Sequence, residues 1–317
     1  MQAQKVYLAP MEGVCDPPLR QILCAIGGYD ECFSEFIRVT DEVLPRKTLL
    51  REVPELKNDC RTPDGTPVRV QFLGDNAQMM AGSAKLAVEL GARGIDLNFG
   101  CPSRFVHHAG SMLLKEPELI HSIVAAVREA LPPEIVLSVK MRLGFADIKE
   151  APNLVQAAAV DGVSEIILHA RTRKELYRKD ALHWEEIARL HQYAHGIPLV
   201  ANGDIIDKES AVRCMELTGC DRLMTGRAAL MEPNLGKMIK EGAAPLTFRV
   251  KLELVYTLMQ TLEQYKFAEK SVLDRSKQYL GFVRKCDEQA AEFFKRFCHV
   301  SSKAEAVKLL EEELKSL

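Results

Sequence analysis

Short apolar runs, several of them rich in β-branched residues, recur along the first three quarters of the chain. Stretches with helical apolar spacing separate most of them. The runs are VYLAPM (6–11), CFSEFIRV (32–39), VRVQFLG (68–74), GIDLNFG (94–100), VLSVKMRLG (136–144), EIILHAR (165–171), PLVANGD (198–204) and RLMTGRA (222–228). The intervening segments 76–92 and 117–131 read as amphipathic helices that stop at Gly or Pro. Strand and helix in alternation predict a parallel sheet. Eight such units by residue 241 fit a (β/α)8 TIM barrel, for which about 250 residues is typical. A doubly wound sheet is the alternative, but it leaves the placement of polar residues described below without a reason.

After Gly242-Ala243-Ala244-Pro245 the strand pattern stops. Four helical segments follow at 248–266, 271–285, 288–298 and 303–317, which predicts a small all-α helical bundle. The expected division is therefore a barrel over 1–241 and a helical domain over 246–317.

Composition adds limits. With 47% hydrophobic and 27% charged residues, the chain can bury a large core. The N-terminus lacks a signal-peptide pattern and no run approaches a membrane span, so a cytoplasmic protein with no membrane attachment is expected. The nine cysteines form no Cys-x-x-Cys pair, which argues against a zinc site and against disulfides. Cys24, Cys32 and Cys214 sit in apolar surroundings and read as core residues. A net charge of −2 offers no global attraction to nucleic acid. Between Lys266 and Lys303, however, nine Lys and Arg face five Asp and Glu in a helical stretch.

In a barrel of this kind, chemistry sits at the C-terminal ends of the strands. Nearly every run ends in polar residues: Glu12 beyond the first, Glu35 and Arg38, Gln71, Asn98 leading to Cys101, Lys140 and Arg142, His169 and Arg171, Asn202-Gly203-Asp204, and Gly226-Arg227. Alternation puts Lys140 and Arg142 on one face, and two cations in one cavity need anionic company. A flavin, anionic when reduced and carrying a phosphate, supplies it; a salt bridge from Lys140 to Asp96 or Glu35 is the other reading. The glycines of ANGDI and TGRAA stand where many barrels bind phosphate, with helix N-termini close by.

The segments LAPMEGVCD, VQFLG, DLNFGCPS, VKMRLG, ILHARTR, ANGDI and LMTGRAAL resemble, in order and across essentially the whole chain, the tRNA-dihydrouridine synthases. APMEGV and SEFIRVTDEVLP are further similar to the bacterial subfamily C that modifies uridine 16. The resemblance implies an FMN enzyme, re-reduced by NADPH or NADH, that reduces a uridine in the D-loop of tRNA, with Cys101 protonating C5. It implies that Ala9, Pro10, Met11, Gln71, Lys140, His169, Asn202, Gly203, Asp204, Gly226 and Arg227 hold FMN. Asn98 would orient the uracil, and Arg38, Arg142, Lys277 and Arg284 would contact tRNA. Lys277 and Arg284 are seven apart and so share a helix face inside the basic stretch. A neutral thiol suits an acid, so no activating base is required; His107 and His108 are near enough in sequence to leave a nucleophile open. The segment SRFVHHAGSM, expected to close over the uridine, is shorter than its family counterpart. A monomer is expected. Two other functions remain open at this point: a flavin barrel acting on a free pyrimidine or dihydroorotate, and a tRNA-binding protein on a decayed synthase scaffold.

Overall fold

The computed structural model describes residues 2–103 and 108–317. Nine parallel strands form one sheet: β1 (Lys5–Leu8), β2 (Glu31–Phe33), β3 (Ile37–Arg38), β4 (Val68–Leu73), β5 (Gly94–Phe99), β6 (Val136–Gly144), β7 (Glu165–Thr172), β8 (Leu199–Asn202) and β9 (Arg222–Thr225). β1 pairs with both β2 and β9, and β4 pairs with β2, β3 and β5, so the sheet closes on itself. The result is an eight-stave TIM barrel, as the alternating pattern predicts.

The run 32–39, expected as one strand, is two. Ser34 interrupts it: its hydroxyl accepts the Gln71 N–H at 2.9 Å, so a side-chain oxygen takes the partner's bond. The stave then resumes as β3 with its register slipped by one residue, Ile37 standing opposite Phe72 where the β2 register would place Leu73. The first run also ends earlier than its apolar residues suggest, because Pro10 has no N–H to offer the ladder.

Helices α1 (Pro17–Gly27), α2 (Arg46–Glu52), α3 (Ala77–Glu89), α4 (Pro117–Ala130), α5 (Ala151–Ala158), α6 (Trp184–Leu190), α7 (Lys208–Thr218), α8 (Arg227–Met231) and α9 (Leu235–Glu241) belong to the connections and the end of the barrel. Outward residues such as Ile95, Leu97 and Phe99 join the main core under these helices. Inside the barrel a separate small cluster holds Tyr7, Ala9, Phe33, Ile167, Val200 and Met224.

The lower lumen is filled by charge. Arg69, 3% exposed, bonds Glu31 at 2.6 Å and Glu165 at 2.5 Å across the barrel. Glu165 also accepts from the Tyr7 hydroxyl and from Arg222, both at 3.0 Å. The Arg69 guanidinium lies 5.2 Å from the Tyr7 ring centroid and 5.1 Å from that of Phe33.

Four helices follow the barrel: α10 (Phe248–Gln264), α11 (Glu269–Val283), α12 (Glu288–Phe297) and α13 (Lys303–Ser316). They match the four amphipathic segments and pack on one another; α10 also touches α1, and α11 touches α8. Lys251, 2% exposed, ties this group together by bonding Glu232 at 2.6 Å and Asp287 at 3.2 Å. Among the described residues no helix is long and apolar enough to cross a membrane. All nine cysteines are free, and Cys24, Cys32 and Cys214 are buried.

Removing one partner from a buried ionic cluster leaves the others uncompensated. Arg69→Met is expected to lower stability by about 3 kcal/mol in urea unfolding, and the double variant Arg69→Met, Glu165→Leu to lose less than the sum of the single changes. Strict additivity would show that the two side chains do not interact.

Candidate active site

Register decides which polar residues meet. Gln71 stands beside Asp96, Asp96 beside Ser138, Asn98 beside Lys140, Arg142 beside His169, and His169 beside Asn202. Their inward side chains line the upper lumen and leave it cationic on one side.

Lys140 donates to Asn202 Oδ1 at 3.0 Å, and Asn202 donates in turn to the Met224 carbonyl at 2.8 Å. The alternative of a salt bridge to Asp96 or Glu35 is not what the structure contains: Asp96 accepts from Gln71 and Ser138, and Glu35 accepts the Val14 N–H. Burial pushes the Lys140 ammonium down, with Asp96 opposing and Arg142 adding to the effect. His169 is pushed well below the usual imidazole range by burial and by Arg142, Lys140, Arg171 and Arg227, so it is neutral at pH 7. Its Nδ1 is buried with no hydrogen-bond partner among the described residues.

Arg142 is 2% exposed and donates to the carbonyls of Gly100, Thr172 and Leu176 at 2.9, 3.0 and 2.7 Å. Its first visible task is therefore to clamp the loops beyond β5 and β7. Tyr177, in the loop after β7, was not singled out by sequence reasoning. Its ring lies edge-on to His169 at 6.0 Å, with Arg142 at 5.1 Å and Arg227 at 4.5 Å from its centroid. An aromatic residue inside the charged stretch RTRKELYRK was the available signal.

At the ends of β8 and β9, Gly203 has φ +131° and Asp204 φ +47°. Asp204 bridges Arg171 at 2.5 Å and Arg227 at 3.2 Å, and Arg171 Nη1 is buried without a partner among the described residues. A Cβ on Gly226 would lie 3.6 Å from the Ala9 Cβ, so the chain after β9 runs close against the end of β1. The Ala9 N–H donates to the Thr225 carbonyl at 2.8 Å, while Pro10 and Met11 continue into the mouth. The helix starts contribute less than the sequence suggests. The N-terminus of α7 is already capped by the Asp207 carboxylate, and α8 is only five residues long. Among the described residues, Arg171 Nη1 is left as an unpartnered buried donor at this end.

Cys101 faces this cationic wall from beyond β5. Asn98 Oδ1 accepts the backbone N–H groups of both Gly100 and Cys101 at 2.9 Å. The Cys101 carbonyl accepts from Ser111 N at 3.1 Å and Ser111 Oγ at 2.6 Å. The thiol is half-buried against Leu73, Ala109 and Phe36, and burial raises its pKa, which keeps it protonated. Gly110, at φ +57°, passes so close that a Cβ there would meet the Cys101 carbonyl at 3.1 Å. His107 and the middle of the shortened segment lie outside the described residues; His108 is exposed. Glu35 is raised to about 7 by burial and by the nearby Glu12 and Asp16.

The residues expected to meet RNA are dispersed. Arg38 is exposed at the end of β3, Asn98 lies in the lumen, and Lys277 and Arg284 lie on α11 and at its end. Lys277 donates to the Val300 carbonyl at 2.6 Å, and the Arg284 guanidinium sits 4.2 Å from the Phe294 ring centroid. Arg275 was overlooked by sequence reasoning. It bonds the Gly13 and Val14 carbonyls at 2.7 and 2.5 Å and Asp16 at 2.7 Å, and so joins α11 to the loop after β1.

The fold and the strand-end site define a TIM barrel with a cationic pocket facing a neutral thiol. A morphinone reductase mutant solved in complex with tetrahydroNAD shares this fold with a TM-score of 0.54 at 13% identity, over 76% of this chain and 87% of that one. Residues 7–317 match the family described as Dihydrouridine synthase (Dus). The tRNA-dihydrouridine(16) synthase of Haemophilus ducreyi is 42% identical over 92% of this chain and 89% of its own length. That of Escherichia coli K12 is 42% identical over 92% of each. The chain belongs to the dihydrouridine synthase family, whose members are flavin-dependent oxidoreductases.

A buried ammonium with a lowered pKa costs stability while it stays charged. The unfolded chain binds the proton more tightly, so this cost is relieved as pH rises from the lowered value toward the ordinary lysine range. Lys140→Met is expected to leave the flavin-free protein as stable as, or more stable than, the parent at pH 7 and to remove that alkaline gain, while abolishing flavin retention. Urea unfolding across pH and the visible spectrum report the two effects; an undiminished alkaline gain would rule out the assignment to Lys140.

Proposed function

We propose that this protein reduces uridine 16 in the D-loop of tRNA to 5,6-dihydrouridine, using FMN re-reduced by NADPH or NADH. The observation that carries the reading is the mouth itself: a protonated thiol near a set of buried cations, where Arg171 Nη1 and His169 Nδ1 have no hydrogen-bond partner among the described residues. These groups fit a flavin. Lys140 and the neutral His169 suit its N1–C2 edge, and the unpartnered His169 Nδ1 gives that side a specific polar contact. Gln71 and Asn202 hold the ring's other polar edges, the backbone of Ala9, Pro10 and Met11 flanks it, and Gly203, Asp204, Gly226 and Arg227 receive the phosphate. The bound cofactor supplies hydride to uracil C6.

Cys101 would hold the proton that C5 receives, and the thiolate left behind would regain its proton from solvent once the product leaves. Asn98 orients the uracil within reach of that thiol. The barrel, residues 1–241, is the catalytic domain, and residues 246–317 form the tRNA-recognition domain. Arg38, Arg142, Lys277 and Arg284 meet the RNA, the buried Arg142 through the nucleotide that enters the mouth. The 42% identity to tRNA-dihydrouridine(16) synthases supports position 16. The protein acts as a cytoplasmic monomer. A flavin barrel for free pyrimidines would have no use for an arginine that ties a basic helix to the cofactor loop.

Cys101→Ala is expected to stay yellow and bind tRNA, with dihydrouridine formation reduced by about 100-fold or more in a mass-spectrometric assay. Parental activity would remove the thiol from the acid's role. Arg284→Gln is expected to weaken tRNA binding and reduce the slope of log K against log salt by about one phosphate contact. An unchanged slope would move the RNA away from this end of α11.

A further inference from the structure

We infer that Asp96 is a positioning residue whose carboxylate fixes the amide orientations of Gln71 and Asn98 and thereby holds the Gly100–Cys101 backbone in place. The inference rests on the proposed role of Cys101 only for its effect on turnover.

The argument is one of hydrogen-bond direction. An ionised carboxylate can only accept. Asp96 Oδ2 takes Gln71 Nε2 at 2.7 Å, and Oδ1 takes the Ser138 hydroxyl at 2.5 Å. With its NH2 committed to Asp96, Gln71 must turn Oε1 toward Asn98, whose Nδ2 donates to it at 2.8 Å. Asn98 is then left with only its oxygen for the loop, and that oxygen accepts both the Gly100 and the Cys101 N–H. Reversing Gln71 would set its oxygen against the Asp96 carboxylate and its NH2 against that of Asn98; reversing Asn98 would aim its NH2 at the two loop donors. Asp96, Gln71 and Ser138 are 0% exposed and Asn98 7%, so bulk water does not compensate for a reversed link.

The loop has a second grip, but not one that sets direction. The Gly100 carbonyl accepts from Arg142 and the Cys101 carbonyl from Ser111. Among the described residues, only the chain from Asp96 reaches the two N–H groups. Burial raises the Asp96 carboxyl to about 6, with the Ser138 and Gln71 hydrogen bonds and then Arg69 and Lys140 opposing it, so the group is ionised for the most part at pH 7. Asp96 itself lies two residues before Asn98 on β5 and acts on it through Gln71.

The test uses full-length holoenzyme and two variants. Asp96→Leu removes the acceptor. Asp96→Asn combined with Ser138→Ala is nearly isosteric and leaves the new amide without a neighbour to set its direction, which keeps the test open should the leucine variant not fold. Alkylation of Cys101 by iodoacetamide, followed by peptide mass spectrometry, is expected to accelerate by about fivefold or more in both. Asp96→Asn alone, which Ser138 can still orient, should stay closer to the parent. NADPH-driven flavin reduction should persist while flavin reoxidation by tRNA slows. Parental alkylation rates in the folded variants would overturn the positioning role. Faster alkylation with undiminished tRNA turnover would uphold it and instead remove Cys101 from the acid's role.

Discussion

Closure of the sheet is the constraint on which the rest depends. Because β1 bonds β9 along one side and β2 along the other, every stave has two neighbours, and alternate side chains are forced into a shared lumen. No inward polar group can then turn to water sideways; it must find a partner in the next stave or above it. The lower lumen pairs its charges, Arg69 and Arg222 with Glu31 and Glu165, although Arg222 Nε has no hydrogen-bond partner among the described residues. In the upper lumen Lys140 has no carboxylate partner but a bond to Asn202, and Arg171 Nη1 and His169 Nδ1 are buried with no partner among the described residues, at the end where barrels place their chemistry.

That difference between the two ends separates stability from function. A closed ionic cluster fills the base and specifies how the staves meet. A cluster at the mouth that keeps unpartnered buried polar atoms is costly in itself, and under the proposed function an anionic, hydrogen-bonding ligand would complete it. Opposite it, Cys101 needs no ion-pair partner, because burial keeps its thiol in the form that gives up a proton rather than the form that attacks.

The helical segment is joined to this site rather than merely appended. Arg275 on α11 bonds the carbonyls of Gly13 and Val14 and the carboxylate of Asp16, which also caps α1. The Val14 N–H in turn bonds Glu35 between β2 and β3 of the second stave. A helix with a basic end is thus anchored to the loop that leaves the first strand, within one hydrogen-bonded step of the mouth. Such an anchor relates the position of a large ligand on the helix to the position of the ring it presents below.

The sequence by itself determined the strand–helix alternation, the four terminal helices and the polar strand ends, since these follow from local period and burial. The family resemblance named the roles of Cys101 and the cofactor residues. Tertiary structure alone decided that Ser34 splits the second stave, that Lys140 bonds Asn202 rather than a carboxylate, that Asp207 closes the start of α7, and that Tyr177 and Arg275 belong to the site. It also decided the direction of the Asp96–Gln71–Asn98 chain. The reason is the same throughout. Periodicity reports which face of a strand is turned inward, but the partner across a stave depends on register. Register is set by backbone hydrogen bonds between segments distant in sequence.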